Sequence, residues 1–178
     1  MGLLLLGYLV WRTLAQFPAN DEVLGIPDDS LDFSNGYSKQ ERAFYEQDLA
    51  ISFDRYELYE LSDTLEVDLT GDGQAEQVIF TEENDKTGLL IVDGASKAET
   101  RIGLGEPFDY LSDDFDWVDY WGLVFDAESY EVLVEDGEIV GEQIINLNHP
   151  AIFLRRSEAG GGLVVYANGQ YRWVNQGG

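Results

Sequence analysis

Cysteine is absent from the 178-residue chain. Its absence removes disulfides, thiolate nucleophiles, soft-metal sites and a lipoprotein-type anchor, while saying little about redox compartment. Histidine occurs once, as His149 ahead of Pro150 in a loop-like stretch. One histidine without cysteine leaves only carboxylates to complete a zinc site. No G-x-S-x-G surrounds any serine, so a Ser–His–Asp arrangement cannot be assembled, and the phosphate-loop and dinucleotide fingerprints are missing. The glycine run at 160–162 lies between two strand-like segments and reads as a flexible turn. Lysine is nearly missing, with only Lys39, Lys86 and Lys97. Basic residues total 10 against 35 acids, a net charge of −25. Nucleic acid is thereby excluded as a partner, because phosphate binding needs clustered Lys and Arg.

Hydrophobic residues make up 44% and aromatics 13% of the chain, a composition that folds rather than stays disordered. The length suits one domain with an N-terminal extension. So many carboxylates with so few lysines also resemble a halophile's surface, whose self-repulsion weakens the compact state at low salt. Adaptation to salt and a role in binding cations both stand as readings of the acidity.

One stretch has metal-ligand spacing: DLTGDGQAE at 68–76, set between the apolar runs LEVDL and QVIF. Oxygen side chains fall at its first, third, fifth and ninth places (Asp68, Thr70, Asp72, Glu76), with Gly73 at the sixth and the Gln74 carbonyl at the seventh. Ca²⁺ takes 6–8 oxygens at about 2.3–2.6 Å, which a loop with alternate residues turned inward supplies. An EF-hand would close on a bidentate Glu at its twelfth place, where this chain has Ile79 inside a strand-like run. The pattern over residues 67–80 instead resembles the short calcium loop of FG-GAP and VCBS-type repeats, D-x-[DN]-x-D-G-x-x-[DE] between two strands. Thr70 stands where Asp or Asn is usual there, and Glu76 where Asp is commoner; both still present oxygen. The resemblance implies a bound calcium ion. The plain alternative is a Gly-Asp-Gly turn with solvated acids.

From the N-terminus, residues 2–11 (GLLLLGYLVW) form an apolar run. It is shorter than a membrane span of about 20 residues and matches a signal-peptide core of about 7–15. Residues 1–17 are therefore read as a signal peptide or a retained anchor, with Arg12 at the interface; a buried N-terminal helix is the alternative. As an anchor, residues 2–17 would hold the chain to a membrane or to other subunits. Residues 18–37 read as an acidic linker and 38–178 as a β-rich calcium-loop domain. SKQE at 38–41 is a capping box, and the helix after it is expected to turn Ala43, Phe44 and Ile51 inward.

Beyond Asp63 the pattern is β. Leu65, Val67 and Leu69 alternate with Glu66 and Asp68, as in a half-buried strand. Asp136-Gly137 and Asn168-Gly169 are type I′ turn pairs. The second sets Tyr166 opposite Tyr171 and Val164 opposite Trp173 on a core-facing side, with Val165 and Arg172 behind. The first sets Val134 opposite Ile139 on an apolar face, and Glu135 opposite Glu138 and Glu131 opposite Glu142 on the other. Those like charges need salt, a cation, or Arg155 or Arg156 to relieve them. At 107–122 six aromatics interleave with five aspartates. Asp114, Asp116, Trp117 and Trp121 there suit a carbohydrate or carboxylate-catalysed site, although Phe115 and Trp117 alternating with Asp114 and Asp116 equally suit a half-buried strand facing the core.

Calcium-loop propellers repeat the motif in every blade of about 60 residues, whereas here it occurs once. The expected fold is a single compact antiparallel β-domain of about eight to ten strands, a sandwich or open barrel, with one short helix packed on it and an N-terminal apolar helix. The expected function is an exported or surface-attached, non-enzymatic module, stapled by Ca²⁺ and serving binding or assembly outside the cytoplasm. The alternatives are an accessory subunit of a membrane complex and a small carboxylate-dependent hydrolase.

Overall fold

The computed structural model describes residues 36–177. The signal peptide or anchor at 1–17, its apolar helix, and all but the end of the linker at 18–37 lie outside them. The chain runs α1 (Lys39–Ser52), β1 (Tyr56–Tyr59), β2 (Thr64–Val67), β3 (Glu76–Glu83), β4 (Lys86–Val92), β5 (Glu99–Gly103), β6 (Tyr120–Val124), β7 (Glu128–Glu135), β8 (Glu138–Asn146), β9 (Ala151–Arg156), β10 (Gly160–Ala167) and β11 (Gln170–Asn175). All pairing is antiparallel. The strands form a five-stranded sheet β1-β6-β9-β10-β11, a four-stranded sheet β2-β3-β4-β5 and the separate hairpin β7-β8. Among the described residues, mainly β with one helix is as expected; eleven strands exceed the expected eight to ten because the short edge strand β1 and the separate hairpin add to the body.

The two larger sheets share one apolar cluster. Leu65, Val78, Phe80, Leu89 and Ile91 of the four-stranded sheet meet Trp121, Leu123, Ile152, Leu154, Val164 and Trp173 of the five-stranded one. A second cluster lies on the far side of the five-stranded sheet, where Tyr45, Leu49 and Phe53 cover Tyr120, Phe153, Leu163, Val165 and Val174. A sheet buried on both faces needs runs of apolar residues rather than alternation, and YWGLV in β6 is buried throughout.

Ser38 caps α1 as its box requires: its hydroxyl accepts from the Glu41 N–H while the Glu41 carboxylate accepts from the Ser38 N–H. The inner face differs from expectation. Ala43, Phe44 and Ile51 are exposed, and Tyr45 and Leu49 are buried. One residue turns a helix by about 100°, and polar anchors decide the rotation. Asp48 accepts from Tyr120 Oη at 2.6 Å and Arg155 Nη1 at 2.8 Å, and Arg42 pairs with Glu60. Stacking of Tyr45 on Tyr120, 4.2 Å between ring centroids, completes the seat.

Both turn pairs have positive φ at each residue: Asn168 +53° and Gly169 +82°, Asp136 +52° and Gly137 +82°. Val164 opposes Trp173 and Tyr166 opposes Tyr171; the first pair is buried and the tyrosines are half-buried, while Val165 behind them is buried against the helix layer. In β7–β8, Val134 opposes Ile139 and Glu135 opposes Glu138 as expected, but a bulge in β8, the unpaired Val140 opposite Leu133 and Val134, shifts the rest. Glu131 faces Gln143, not Glu142, and takes hydrogen bonds from Gln143 Nε2 at 2.8 Å and Arg172 Nη1 at 3.1 Å. The relieving arginine is thus Arg172, not Arg155 or Arg156. The glycine run at 160–162 is strand rather than turn: it pairs with Leu154–Arg156, and the ring of Trp173 lies against Gly162 where a Cβ would sit.

Candidate metal centre

Closure of the β2–β3 hairpin sets the geometry of the loop. Val67 pairs with Glu76 across the ladder, so the residue at the ninth place is a strand residue held opposite the start of the loop. Glu76 is buried, 1% exposed. Its Oε2 accepts from the Leu69 N–H at 2.7 Å and its Oε1 from the Thr70 hydroxyl at 3.3 Å. Asp68 folds the loop over itself: Oδ1 accepts from the Gly71 N–H at 2.6 Å and Oδ2 from the Gly73 N–H at 2.9 Å. Asp72 Oδ1 accepts from the Gln74 N–H at 2.7 Å.

These bonds bring one carboxylate oxygen each from Asp68, Asp72 and Glu76 within 4.8 Å of one another. Oxygens around a single Ca²⁺ at about 2.3–2.6 Å lie no more than about 5 Å apart, so the three fit one ion. Each carboxylate oxygen also has more than one lone pair, which lets a backbone N–H and a cation share it. The residues named from spacing are therefore together: Asp68, Asp72 and Glu76 converge, Thr70 touches Glu76, and Gln74 sits exposed at the rim. No basic side chain pairs with Glu76 among the described residues.

Three neighbours of the loop have no signal in the sequence, because they come from other turns and from β11. The imidazole of His149 covers Gly71 so closely that a Cβ there would lie 2.0 Å from Cε1. Gly94 approaches the Ala75 carbonyl to a distance that a Cβ would reduce to 2.4 Å. Tyr171 shares the neighbourhood: burial first, then the charges of Glu76, Tyr166 and Asp93, push its hydroxyl far above the usual range. A cleft of about 410 Å³ opens beside Thr70, between Thr100 and Arg101 of one sheet and Tyr166 and Tyr171 of the other.

Gly71 has φ +77° and the His149 ring overhead. Gly71→Ala is expected to cost more than about 1 kcal/mol, since Ala is strained at positive φ and the imidazole must move. Urea unfolding would measure it; a neutral result would mean that the His149 contact is loose.

The acidic-aromatic stretch does not form a comparable site. Residues 105–119 turn rather than run as a strand, and only from Tyr120 does β6 begin. Asp114 accepts from the Thr87 N–H at 3.0 Å and pairs with Lys86 at 3.4 Å. Burial pushes its carboxyl up, but the Thr87 N–H first and then that lysine hold it below the usual range. Asp119 accepts from the Ser157 N–H and Asp109 from the Trp173 N–H. Asp116 is exposed, Trp117 half-buried against the core, and Trp121 wholly buried. Asp109, Asp114 and Asp119 bind the loop to backbone, Phe115, Tyr120 and Trp121 enter the core, and Tyr110 stays exposed.

No family model, no curated protein and no solved structure matches the chain, so the resemblance to calcium-loop repeats rests on residues 67–80 alone.

Proposed function

We propose that residues 38–178 are a calcium-stabilised β-domain, the folded part of an exported or surface-attached module that binds or assembles with a partner rather than catalysing a reaction. The observation that carries the calcium reading is Glu76: a carboxylate 1% exposed, beside Asp68 and Asp72, with no basic partner among the described residues. Burying an anion without a compensating charge is costly, and a divalent cation held by Asp68, Thr70, Asp72, Gln74 and Glu76 compensates it. Outside the cell, where calcium is millimolar, even a weak site of this kind is filled. The apolar run at 2–11 agrees with that location. Among the described residues no helix is long and apolar enough to cross a membrane.

Attachment as an accessory subunit through residues 2–17 is the second reading, favoured by the exposed apolar residues of β7–β8 described below. The carboxylate-dependent hydrolase has no similar support, since Asp109, Asp114 and Asp119 are engaged with backbone N–H groups. Isothermal titration of the full chain with Ca²⁺ tests the proposal. One Ca²⁺ site, selective over Mg²⁺ and lost in Asp72→Ala, is expected; equal weak uptake of both ions by wild type and variant would reduce the loop to a plain turn.

A further inference from the structure

The β7–β8 arm is a long hairpin whose outer half is bare. At its root Gln176 Nε2 donates to Ser129 Oγ at 2.7 Å, Tyr130 Oη donates to the Gln176 carbonyl at 3.2 Å, and Arg172 holds Glu131. Among the described residues nothing covers the rest of it. Ile139 is 70% exposed and Val140 53%, Leu133 and Val134 are exposed beside them, and Ile144, opposite Tyr130 near the root, is 71% exposed. Most of the large exposed apolar side chains of the described molecule belong to this one element. Such a patch marks an interaction surface.

The sheet contains only these two strands, so the outer edge of β8 presents unpaired N–H and C=O groups. Edge strands are ordinarily guarded by lysine, proline, a bulge or short length. β8 has nine residues with no lysine or proline, and its one bulge, the unpaired Val140, leaves Gly141–Asn146 as a regular edge. Its other guard is negative charge: the arm carries Glu128, Glu131, Glu135, Asp136, Glu138 and Glu142 and no basic residue. Of these only Glu131 has an ion pair among the described residues, and Glu135 stands directly opposite Glu138. Like charges across a ladder are destabilising, so an incoming cation would relieve what salt otherwise screens.

Charge also selects the occupant. A second copy would bring the same six carboxylates edge to edge. The chain's own residues 1–35 offer Arg12 against Asp21, Glu22, Asp28, Asp29 and Asp32. We propose that the β7–β8 arm is a docking strand for a cationic polypeptide, which adds in extended conformation along β8, meeting Ile139, Val140 and Ile144 with apolar side chains and reaching with basic ones Glu142 beside Ile144 and Glu135 and Glu138 on the opposite face. Strand addition of this kind takes affinity from main-chain hydrogen bonds and specificity from alternate side chains. It does not depend on the calcium reading.

The test uses the full chain and a fluorescent peptide of alternating lysine and valine, with its glutamate–valine counterpart as control, read by anisotropy. The lysine peptide is expected to bind and the glutamate peptide not. Ile139→Ser/Val140→Ser/Ile144→Ser keeps every charge and is expected to weaken binding about tenfold or more. Glu135→Gln/Glu138→Gln/Glu142→Gln is expected to weaken it more than Glu66→Gln/Glu82→Gln/Glu106→Gln, which removes as much charge from the body; this comparison decides alone if the serine variant does not fold. Absent binding, equal binding by the serine variant, or equal loss from the two charge variants would overturn the proposal. So would a dimer in sedimentation that the serine substitutions abolish, since the occupant would then be a second copy.

Discussion

Trp121→Ala is expected to lower stability by about 3–5 kcal/mol, the cost of removing a wholly buried indole. For a chain of this size that is a fall in melting temperature of roughly 6–20 °C. Trp121 sits at the centre of the contact between the two large sheets, with Phe80 at 5.8 Å and Tyr59 at 6.4 Å between ring centroids. Its Nε1 donates to the Glu60 carbonyl at 2.9 Å, which ties the indole to the turn after β1. Truncation opens a cavity bounded by both sheets, and neither can collapse without breaking its ladder. Trp117 lies at the half-buried rim of the same cluster, so Trp117→Ala is expected to cost less. Circular dichroism in urea would check both. A loss under about 1 kcal/mol for Trp121→Ala would place that ring outside the core and reopen a ligand-binding role for it.

Glu76→Gln is expected to change sign with calcium. In EDTA the buried carboxylate is an anion facing Asp68 and Asp72. The isosteric amide keeps an oxygen for the Leu69 N–H and removes the charge, so the variant should melt at or above wild type. In calcium the order reverses, because the variant loses its best-buried ligand. At calcium about 100 times Kd the wild type gains roughly 2.7 kcal/mol that the variant does not. Melting both proteins in EDTA and in Ca²⁺ at matched ionic strength gives the comparison. A variant destabilised equally in both conditions would show that Glu76 serves only as an acceptor for Leu69 and Thr70.

The hairpins and the loop were legible because their chemistry is local. Asn168-Gly169 and Asp136-Gly137 demand positive φ at both positions whatever surrounds them, and the spacing of Asp68, Asp72 and Glu76 is enough to bring them together once Val67 pairs with Glu76. What failed was decided by partners far along the chain. The rotation of α1 follows Asp48 meeting Tyr120 and Arg155, not the apolar residues of the helix itself. The half-strand pattern at 114–117 is overridden because Asp114 bonds to the Thr87 N–H and bends the chain. The bulge at Val140, opposite Leu133 and Val134, moves Glu131 out of register with Glu142 and toward Arg172, and its one local mark is Gly141 beside it. His149 over Gly71 is likewise visible only in three dimensions.

The most direct test of calcium stabilisation is a thermal melt of the full chain in EDTA and in millimolar Ca²⁺, with Mg²⁺ and matched ionic strength as controls. The metal-centre reading expects a Ca²⁺-specific rise of roughly 5–10 °C at saturating ion, absent in Asp72→Ala. A rise given equally by any salt and retained in Asp72→Ala would contradict it: the loop would be a hairpin turn, and the stabilisation would belong to the screening of an acidic surface.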